Sequence, residues 1–476
     1  MKKKFLVFIA LVFVGFLPAV HAQTDRTEQV IYNTENINSP GHPCLYQSDY
    51  FEMESRCNAN AEKIGVEKIS ASQSVVALNW PLRAANGFDV CDFYYVAAYV
   101  DQNPASSVFQ DFNCGQNTYD GHRGTDIAIG PFPFYMMEHS QVEVIAAADG
   151  IIVDKHDGES DRNCVGSGSG LTANTIVLQH TDGSRTIYAH MKTNSVTTKN
   201  IGDAVSSGEY LGVVGSSGSS GGPHLHFEVW SGSSMSTLVD PFSGSCNLLN
   251  ANSWWATQKP YTETEVIKAS VHTTDISFPP CPTTEIPNES DTFSIPFQGV
   301  GLAPGYAKFY IFIRNSVSGG NVDLKILNPN GSTFNSWSVT LSITSRLSYA
   351  GFSKLLPVTP GLYTFQATYN GITCSHEFRI VSANSIDETE DEWQFLSVTP
   401  NPVLSFSMLE SIKPVSDAQL SVYNSYGQLV KREYHLQGQQ FVFYPAELSA
   451  GIYYFTLVDK GNIVGRKKVM VMKNAN

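Results

Sequence analysis

The chain has 476 residues, 42% of them hydrophobic and 16% charged, with a formal net charge of −14. That length exceeds what one hydrophobic core organises and predicts two to four domains. The composition excludes a disordered chain, and the acidic balance argues against nucleic acid as a partner. Tyr and Phe are plentiful, and Gly and Ser cluster between short apolar runs, so strands and turns are favoured over helices.

Residues 1–22 read as a secretory signal peptide. Lys2, Lys3 and Lys4 precede an apolar run from Phe5 to Leu17, too short for a comfortable membrane span, and Val20-His21-Ala22 offers a cleavage site. Gln23 follows the cut, so no lipid anchor is implied, and losing three lysines takes the charge from −14 to −17. No later segment carries enough consecutive apolar residues to span a bilayer, so no integral membrane segment is expected in the mature chain.

Residues 23–77 are polar and read as an N-terminal extension or pro-segment. Residues 78–243 hold short apolar strands, with hairpins expected at Asp149-Gly150 and Asp182-Gly183. A connector is expected over 244–283, containing Trp254, Trp255 and the Pro-rich stretch from Phe278 to Pro282. Residues 284–385 again read as strands, for example Ala307 to Arg314 and Leu362 to Tyr369, at the spacing of an immunoglobulin-like β-sandwich. An acidic linker over 386–394 leads to a last β module over 395–476.

Eight cysteines in an exported chain suggest disulfides. The simplest expectation pairs neighbours: Cys44 with Cys57, Cys91 with Cys114, Cys164 with Cys246 and Cys281 with Cys374.

Three segments carry chemistry. Gly121-His122-Arg123-Gly124-Thr125-Asp126 places His and Asp four apart. In a straight strand they would lie about 13 Å apart at ~3.3 Å per residue, so two ligands of one metal require a bend, which Gly124 makes cheap. Pro223-His224-Leu225-His226-Phe227-Glu228 alternates as a strand, with both histidines on one face and Leu225 and Phe227 toward a core. Tyr188-Ala189-His190-Met191 ends a hairpin strand. Two His and one Asp suit a catalytic zinc with an open position for water, and two further imidazoles suit proton transfer. His139, His156 and His180 read as surface or packing residues, and Glu228 as a supporting group or an exposed strand carboxylate. The Gly/Ser run from Gly215 to Gly222 has no Lys-Ser/Thr after it and reads as a tight loop delivering His224, not a phosphate loop.

The blocks GHRGTD, IAAADGIIV, TIVLQHTDGSRTIYAHM and GDAVSSGEYLGVVGSSGSSGGPHLHFEV together resemble the lysostaphin/LytM-type zinc endopeptidases, over residues 78–243. The strand pattern makes the chain mainly β, and the resemblance implies a small antiparallel β-sheet fold with a narrow groove for the peptidase domain. It implies one Zn2+ held by His122, Asp126 and His226, with His190 and His224 as the catalytic pair, and hydrolysis of peptidoglycan stems or cross-bridges by a zinc-activated water. Cleavage of Gly-rich extracellular proteins is the alternative substrate reading, and a non-catalytic wall-binding or activator role on the same scaffold the alternative in kind. The segments TPNP, LSVYNSYGQLV, LSAGIYYFTL and GRKKVMVMK over 395–476 resemble a type IX secretion C-terminal sorting domain. That resemblance implies a small C-terminal β-sandwich and outer-membrane secretion machinery as a partner. It implies export through the periplasm of a Gram-negative bacterium to the medium or cell surface.

Overall fold

A computed structural model of the chain describes residues 27–30, 45, 47–66, 76–164, 171–382, 396–445, 448–460 and 462–473. The leader expected at 1–22 and the acidic linker at 386–394 lie outside the described residues. Among the described residues there are twenty-five strands and two helices, in keeping with the mainly β expectation.

The largest sheet runs, edge to edge, through Tyr94–Ala98, Thr125–Ile129, His224–Trp230, Arg185–Ala189, Thr175–Gln179, Gly150–His156 and Ala204–Val205, with Leu238–Val239 also beside His224–Trp230. The pairings are antiparallel. A second sheet joins Tyr210–Val213, Val142–Ile145 and Leu82–Ala84. Ile127, Tyr188, Leu225 and Phe227 of the first sheet pack with Val144 and Leu211 of the second, and with Trp254 and Trp255, in one core. Alternation does the sorting: Leu225 and Phe227 enter this core, so His224, His226 and Glu228 face the other way.

Asp182-Gly183 turns a hairpin, with Gln179 opposite Arg185 and Gly183 at φ 85. Asp149-Gly150 does not. Val142–Ile145 lies in the three-stranded sheet and Gly150–His156 in the large one. The buried run Ala146, Ala147, Ala148 carries the chain through the core between them, and the glycine serves a close approach instead. A Cβ at Gly150 would sit 3.1 Å from the Gln179 carbonyl.

Helix Gln47–Lys63, within the N-terminal extension, packs on the face of the large sheet that carries the histidines. Tyr50, Met53, Cys57 and Ala61 are buried against Val153, Val177, Ile187, Ala189 and Trp230. Arg56 donates to both Asp154 oxygens, at 2.9 Å from Nη2, and Asn60 Nδ2 donates to the Val153 carbonyl at 2.8 Å.

The β-sandwich starts earlier than expected. Glu265–His272 falls inside the stretch read as a connector, yet it pairs with Tyr306–Ser316. These two strands, Ser345–Leu355 and Thr27–Val30 make one sheet. Thr292–Ile295, Ile372–Ser382, Gly361–Tyr369, Asn321–Leu327 and Thr333–Thr340 make the other. The strand was hidden because both its faces are covered: Val266, Ala269 and Val271 enter the sandwich core, while Ile267 faces the peptidase sheet. There Ile267, Tyr310, Phe312 and Leu347 pack on Tyr95, Ala97, Ala128 and Phe132. Arg314 sits at the same boundary, paired with Asp92 at 3.0 Å and with Glu265, and lies over the Tyr94 ring, 4.4 Å from its centroid. The sandwich is therefore docked on the preceding domain, not tethered to it.

The C-terminal strands Leu396–Thr399, Ser407–Asn424, Leu429–Phe443, Gly451–Asp459 and Asn462–Val471 form one sheet. Register shifts between Glu410 and Val415 and between Val415 and Ala418 break its long strand, and the sheet wraps a core of Val403, Leu420, Phe443, Phe455 and Val469. No helix of the described residues is long and apolar enough to cross a membrane.

Neighbour pairing of the cysteines is wrong. The bonds are Cys91–Cys374, Cys114–Cys246 and Cys164–Cys281. Cys57 is a buried free thiol, pushed up to about 12 by burial and then Asp154; Cys44 lies outside the described residues. Sequence proximity fails as a guide because antiparallel strands return from far along the chain. Two of the bonds join the peptidase region to segments beyond residue 280. Replacing Cys91 and Cys374 together by serine is expected to cost ~2–5 kcal/mol of stability, by loss of a long loop constraint. Denaturant unfolding of the double variant measures it.

Candidate metal centre

The register of three strands assembles the site. His226 lies opposite Asp126 on one side and Ala189 on the other, so the residue after Ala189, His190, arrives beside the strand of His224 and His226. Asp126 belongs to Thr125–Ile129, whereas His122 lies in the turn before it. The bend at Gly124 brings His122 Nε2 to 3.2 Å from Asp126 Oδ1, far inside the separation of a straight strand.

Gly124 is needed for more than the bend. A Cβ there would lie 2.6 Å from His226 Cε1 and 2.8 Å from the Phe227 carbonyl oxygen. Gly124→Ala must push the His226 ring aside, and is expected to cost ~1–3 kcal/mol of stability together with metal affinity. Thermal unfolding and zinc titration of the variant check both.

His122 Nε2, Asp126 Oδ1 and His226 Nδ1 form one cluster whose candidate ligand atoms all lie within 4.8 Å of one another. His226 Nδ1 is 2.9 Å from Asp126 Oδ1 and 3.4 Å from His122 Nε2. A tetrahedral zinc with bonds of about 2.0–2.1 Å sets its ligand atoms about 3.3 Å apart, so the observed spacing fits that ion. The chemistry of the donors fits as well. His122 Nδ1 donates to the Tyr99 carbonyl at 2.6 Å, leaving the Nε2 lone pair toward the cluster. Its ring stacks on Tyr119 with centroids 4.3 Å apart.

His190 and His224 stand next to this cluster with ring centroids 4.6 Å apart. His190 Nδ1 donates to the Ser217 carbonyl at 2.6 Å, and His224 Nδ1 to the Gly222 carbonyl at 2.8 Å. The Gly/Ser run thus aims both rings. Ser216 and Ser217 are buried, and Ser217 Oγ donates to the Met191 carbonyl at 2.8 Å. His190 takes φ 68, in the left-handed region, a strain of about 1–2 kcal/mol for a residue with a Cβ. His224 Nε2 is 3.6 Å from Asp126 Oδ1. All five predicted residues are brought together, and all five are buried.

Burial alone would push the Asp126 carboxyl up. The His122 and His224 imidazoles, with the His226 ring beside them, overcome it and hold Asp126 well below the usual carboxylate range. The same contest lowers Glu228: burial opposes, and His226, Arg123 and Trp230 prevail. Glu228 is completely buried, so the exposed-carboxylate alternative is excluded. Asp240 goes the other way, pushed up to about 8 mainly by burial, although Phe242 N and Gln102 Nε2 donate to it. His180 packs, with Nδ1 on the Asp149 carbonyl at 2.7 Å and Nε2 on Thr186 Oγ1 at 2.9 Å.

Sequence reasoning missed Tyr50 and Arg123. Both reach Glu228, Tyr50 through its hydroxyl at 2.7 Å and Arg123 through Nε at 3.0 Å. Arg123 was readable from its place between His122 and Gly124. Nothing in the polar 23–77 stretch marked Tyr50.

A mainly antiparallel β fold thus carries a His-Asp-His cluster that could hold a metal ion, with two histidines beside it. Residues 121–241 match the model of peptidase family M23, and residues 397–472 match that of a secretion system C-terminal sorting domain. The chain carries an M23 peptidase domain of the lysostaphin/LytM type and a C-terminal sorting domain that marks it for export. Over 85 residues it is 38% identical to the DD-carboxypeptidase/endopeptidase Mpg of Neisseria meningitidis, a match covering 18% of this chain and 16% of that protein. Among solved structures it is similar to the catalytic domain of the antimicrobial peptidase lysostaphin from Staphylococcus simulans, at 29% identity over 31% of this chain and 89% of that one, with a TM-score of 0.21. A zinc containing peptidase from Vibrio cholerae matches at 21% identity over 36% of this chain and 41% of that one, with a TM-score of 0.22.

Proposed function

We propose that residues 78–243 form a zinc-dependent endopeptidase, exported from the cell, that hydrolyses peptide bonds in peptidoglycan stems or cross-bridges. The observation that carries this reading is the convergence of His122 Nε2, Asp126 Oδ1 and His226 Nδ1 within 4.8 Å, beside the His190–His224 pair. Zinc, when bound, supplies Lewis acidity that lowers the pKa of water and polarises a peptide carbonyl.

The chain's own residues do the rest. His122, Asp126 and His226 hold the ion, and two neutral imidazoles with one carboxylate leave a net charge of about +1 on the site. His190 and His224 handle protons. With Nδ1–H fixed on a backbone carbonyl, each neutral ring carries its lone pair on Nε2. One ring takes the proton of the attacking water. The other, in its protonated form, donates to the carbonyl oxygen as it gains charge, and the proton taken from water goes to the departing amine. Burial of the pair strengthens both interactions relative to water.

Two further findings support the substrate and the place of action. The Neisseria relative is named a DD-carboxypeptidase/endopeptidase, although the match spans only 16% of it. The sorting domain over 397–472 favours targets outside the producing cell. In this reading 1–22 is a leader and the 395–476 module engages the outer-membrane secretion machinery. The protein is then expected in the medium or on the cell surface with that module cleaved. Recovery only from the periplasm, with the module intact, contradicts the export route.

The activity is tested by mass spectrometry of fragments that the purified protein releases from Gly-bridged and directly cross-linked peptidoglycan, with a chelator control. Chelator-sensitive peptide fragments are expected, and their new termini name the bond. No fragments from either wall, with zinc bound, would move the substrate to Gly-rich extracellular proteins.

A further inference from the structure

The N-terminal extension reaches the metal centre through a buried carboxylate that has no place in the reaction itself. Glu228 has two oxygens, and the structure gives each a distinct set of donors. Oε1 accepts from Trp230 Nε1 at 2.6 Å and from Arg123 Nε at 3.0 Å. Oε2 accepts from the Tyr50 hydroxyl at 2.7 Å and faces His226 Nε2 at 3.4 Å. Tyr50 lies on helix Gln47–Lys63, and the Arg123 guanidinium lies over its ring, 4.7 Å from the centroid.

Two carboxylates face this ring, Asp126 at Nδ1 (2.9 Å) and Glu228 at Nε2 (3.4 Å), and both only accept. A cation held with Asp126 and His122 would take the Nδ1 lone pair, because Nδ1 is the atom turned toward both, and the proton of the ring then belongs on Nε2, facing Glu228. The helix is not loosely laid on this arrangement. Met53, Cys57 and Ala61 are buried under it, Arg56 holds Asp154, and Glu54 accepts from the Met235 amide at 2.9 Å.

We propose that helix Gln47–Lys63 is a permanent part of the metal centre: Glu228 is a positioning residue that fixes the tautomer of His226, and Tyr50 supplies the helix's bond to it. The inference rests on the zinc reading of the site. It assigns helix Gln47–Lys63 to the working enzyme rather than to a removable segment.

Glu228→Gln tests it in the full chain. The amide oxygen suits Arg123 and Trp230, which turns the amide NH2 toward His226 Nε2 and favours the tautomer with the proton on Nδ1. Zinc affinity, measured by competition with a chromophoric chelator, is expected to fall about 10–100-fold. Tyr50→Phe keeps the ring and its packing and removes only the hydroxyl, and a loss of roughly two- to tenfold is expected. Nitrogen chemical shifts of the zinc-loaded protein, with His226 assigned by substitution, are expected to show Nε2–H in the wild type.

Should Glu228→Gln fail to fold, Tyr50→Phe and the wild-type tautomer decide the matter. A wild-type His226 protonated on Nδ1, or zinc affinity unchanged within twofold in Glu228→Gln, overturns the role of Glu228. Unchanged affinity in Tyr50→Phe overturns the part given to the helix. A wild-type chain that binds no zinc removes the zinc reading and this inference together, whereas normal wild-type binding with unaffected variants removes only the inference.

Discussion

His226→Ala is expected to lose zinc and peptide hydrolysis together. The residue supplies one of three converging ligand atoms, 2.9 Å from Asp126 Oδ1 and 3.4 Å from His122 Nε2. Without it, one imidazole and one carboxylate face a gap, too few donors to hold the ion. Loss of a Lewis acid of this kind removes several kcal/mol of transition-state stabilisation, so activity should fall by about 10³-fold or more. Metal analysis of the variant and fragment release measure the two losses, which are expected to coincide.

His190→Ala is expected to separate them. Its ring is not among the three that converge, and its Nδ1 is committed to the Ser217 carbonyl at 2.6 Å. Removing it should leave zinc binding intact and reduce kcat about 10²–10⁴-fold, the range of a positioned acid or base. Stability should fall, because alanine at φ 68 retains the backbone strain while the packing of the buried ring is lost; unfolding of the variant checks that the fold survives. A His190→Ala protein that emptied the metal centre would mean that the ligand and proton-transfer roles are wrongly divided.

The contrast between these variants rests on features legible in the sequence to different degrees. His224, His226, Leu225 and Phe227 were readable because strand alternation is strictly two-fold, and a core on one face forces the histidines onto the other. The bend at Gly124 was readable from the impossibility of a shared metal across a straight segment. The steric demand on Gly124 from the His226 ring was not, since it depends on how close two strands pack. His190 was placed at the end of a hairpin strand, but its left-handed backbone and its bond to Ser217 follow from the path of the Gly/Ser loop.

Other elements escaped for a common reason: their signals come from partners distant in the chain. Glu265–His272 is apolar on two faces because it serves two packing surfaces, so it lacks a clean amphipathic pattern. Asp149-Gly150 has hairpin chemistry, yet the buried alanines before it carry the chain between two sheets. The disulfides follow the sheet topology, and Cys91 meets Cys374 across a separation of 283 residues. Helix Gln47–Lys63 has a mostly polar composition, and only the sheet it covers explains why Tyr50, Met53 and Cys57 are where they are.

The central claim is that His122, Asp126 and His226 hold one zinc. Zinc K-edge absorption of the purified full chain tests it most directly, with metal analysis for stoichiometry. One zinc per chain is expected in a nitrogen and oxygen shell at about 2.0–2.1 Å, including two imidazoles and no sulfur, with the signal lost in His226→Ala. A chain that binds no zinc, a sulfur shell near 2.3 Å, or a spectrum unchanged by His226→Ala would contradict it.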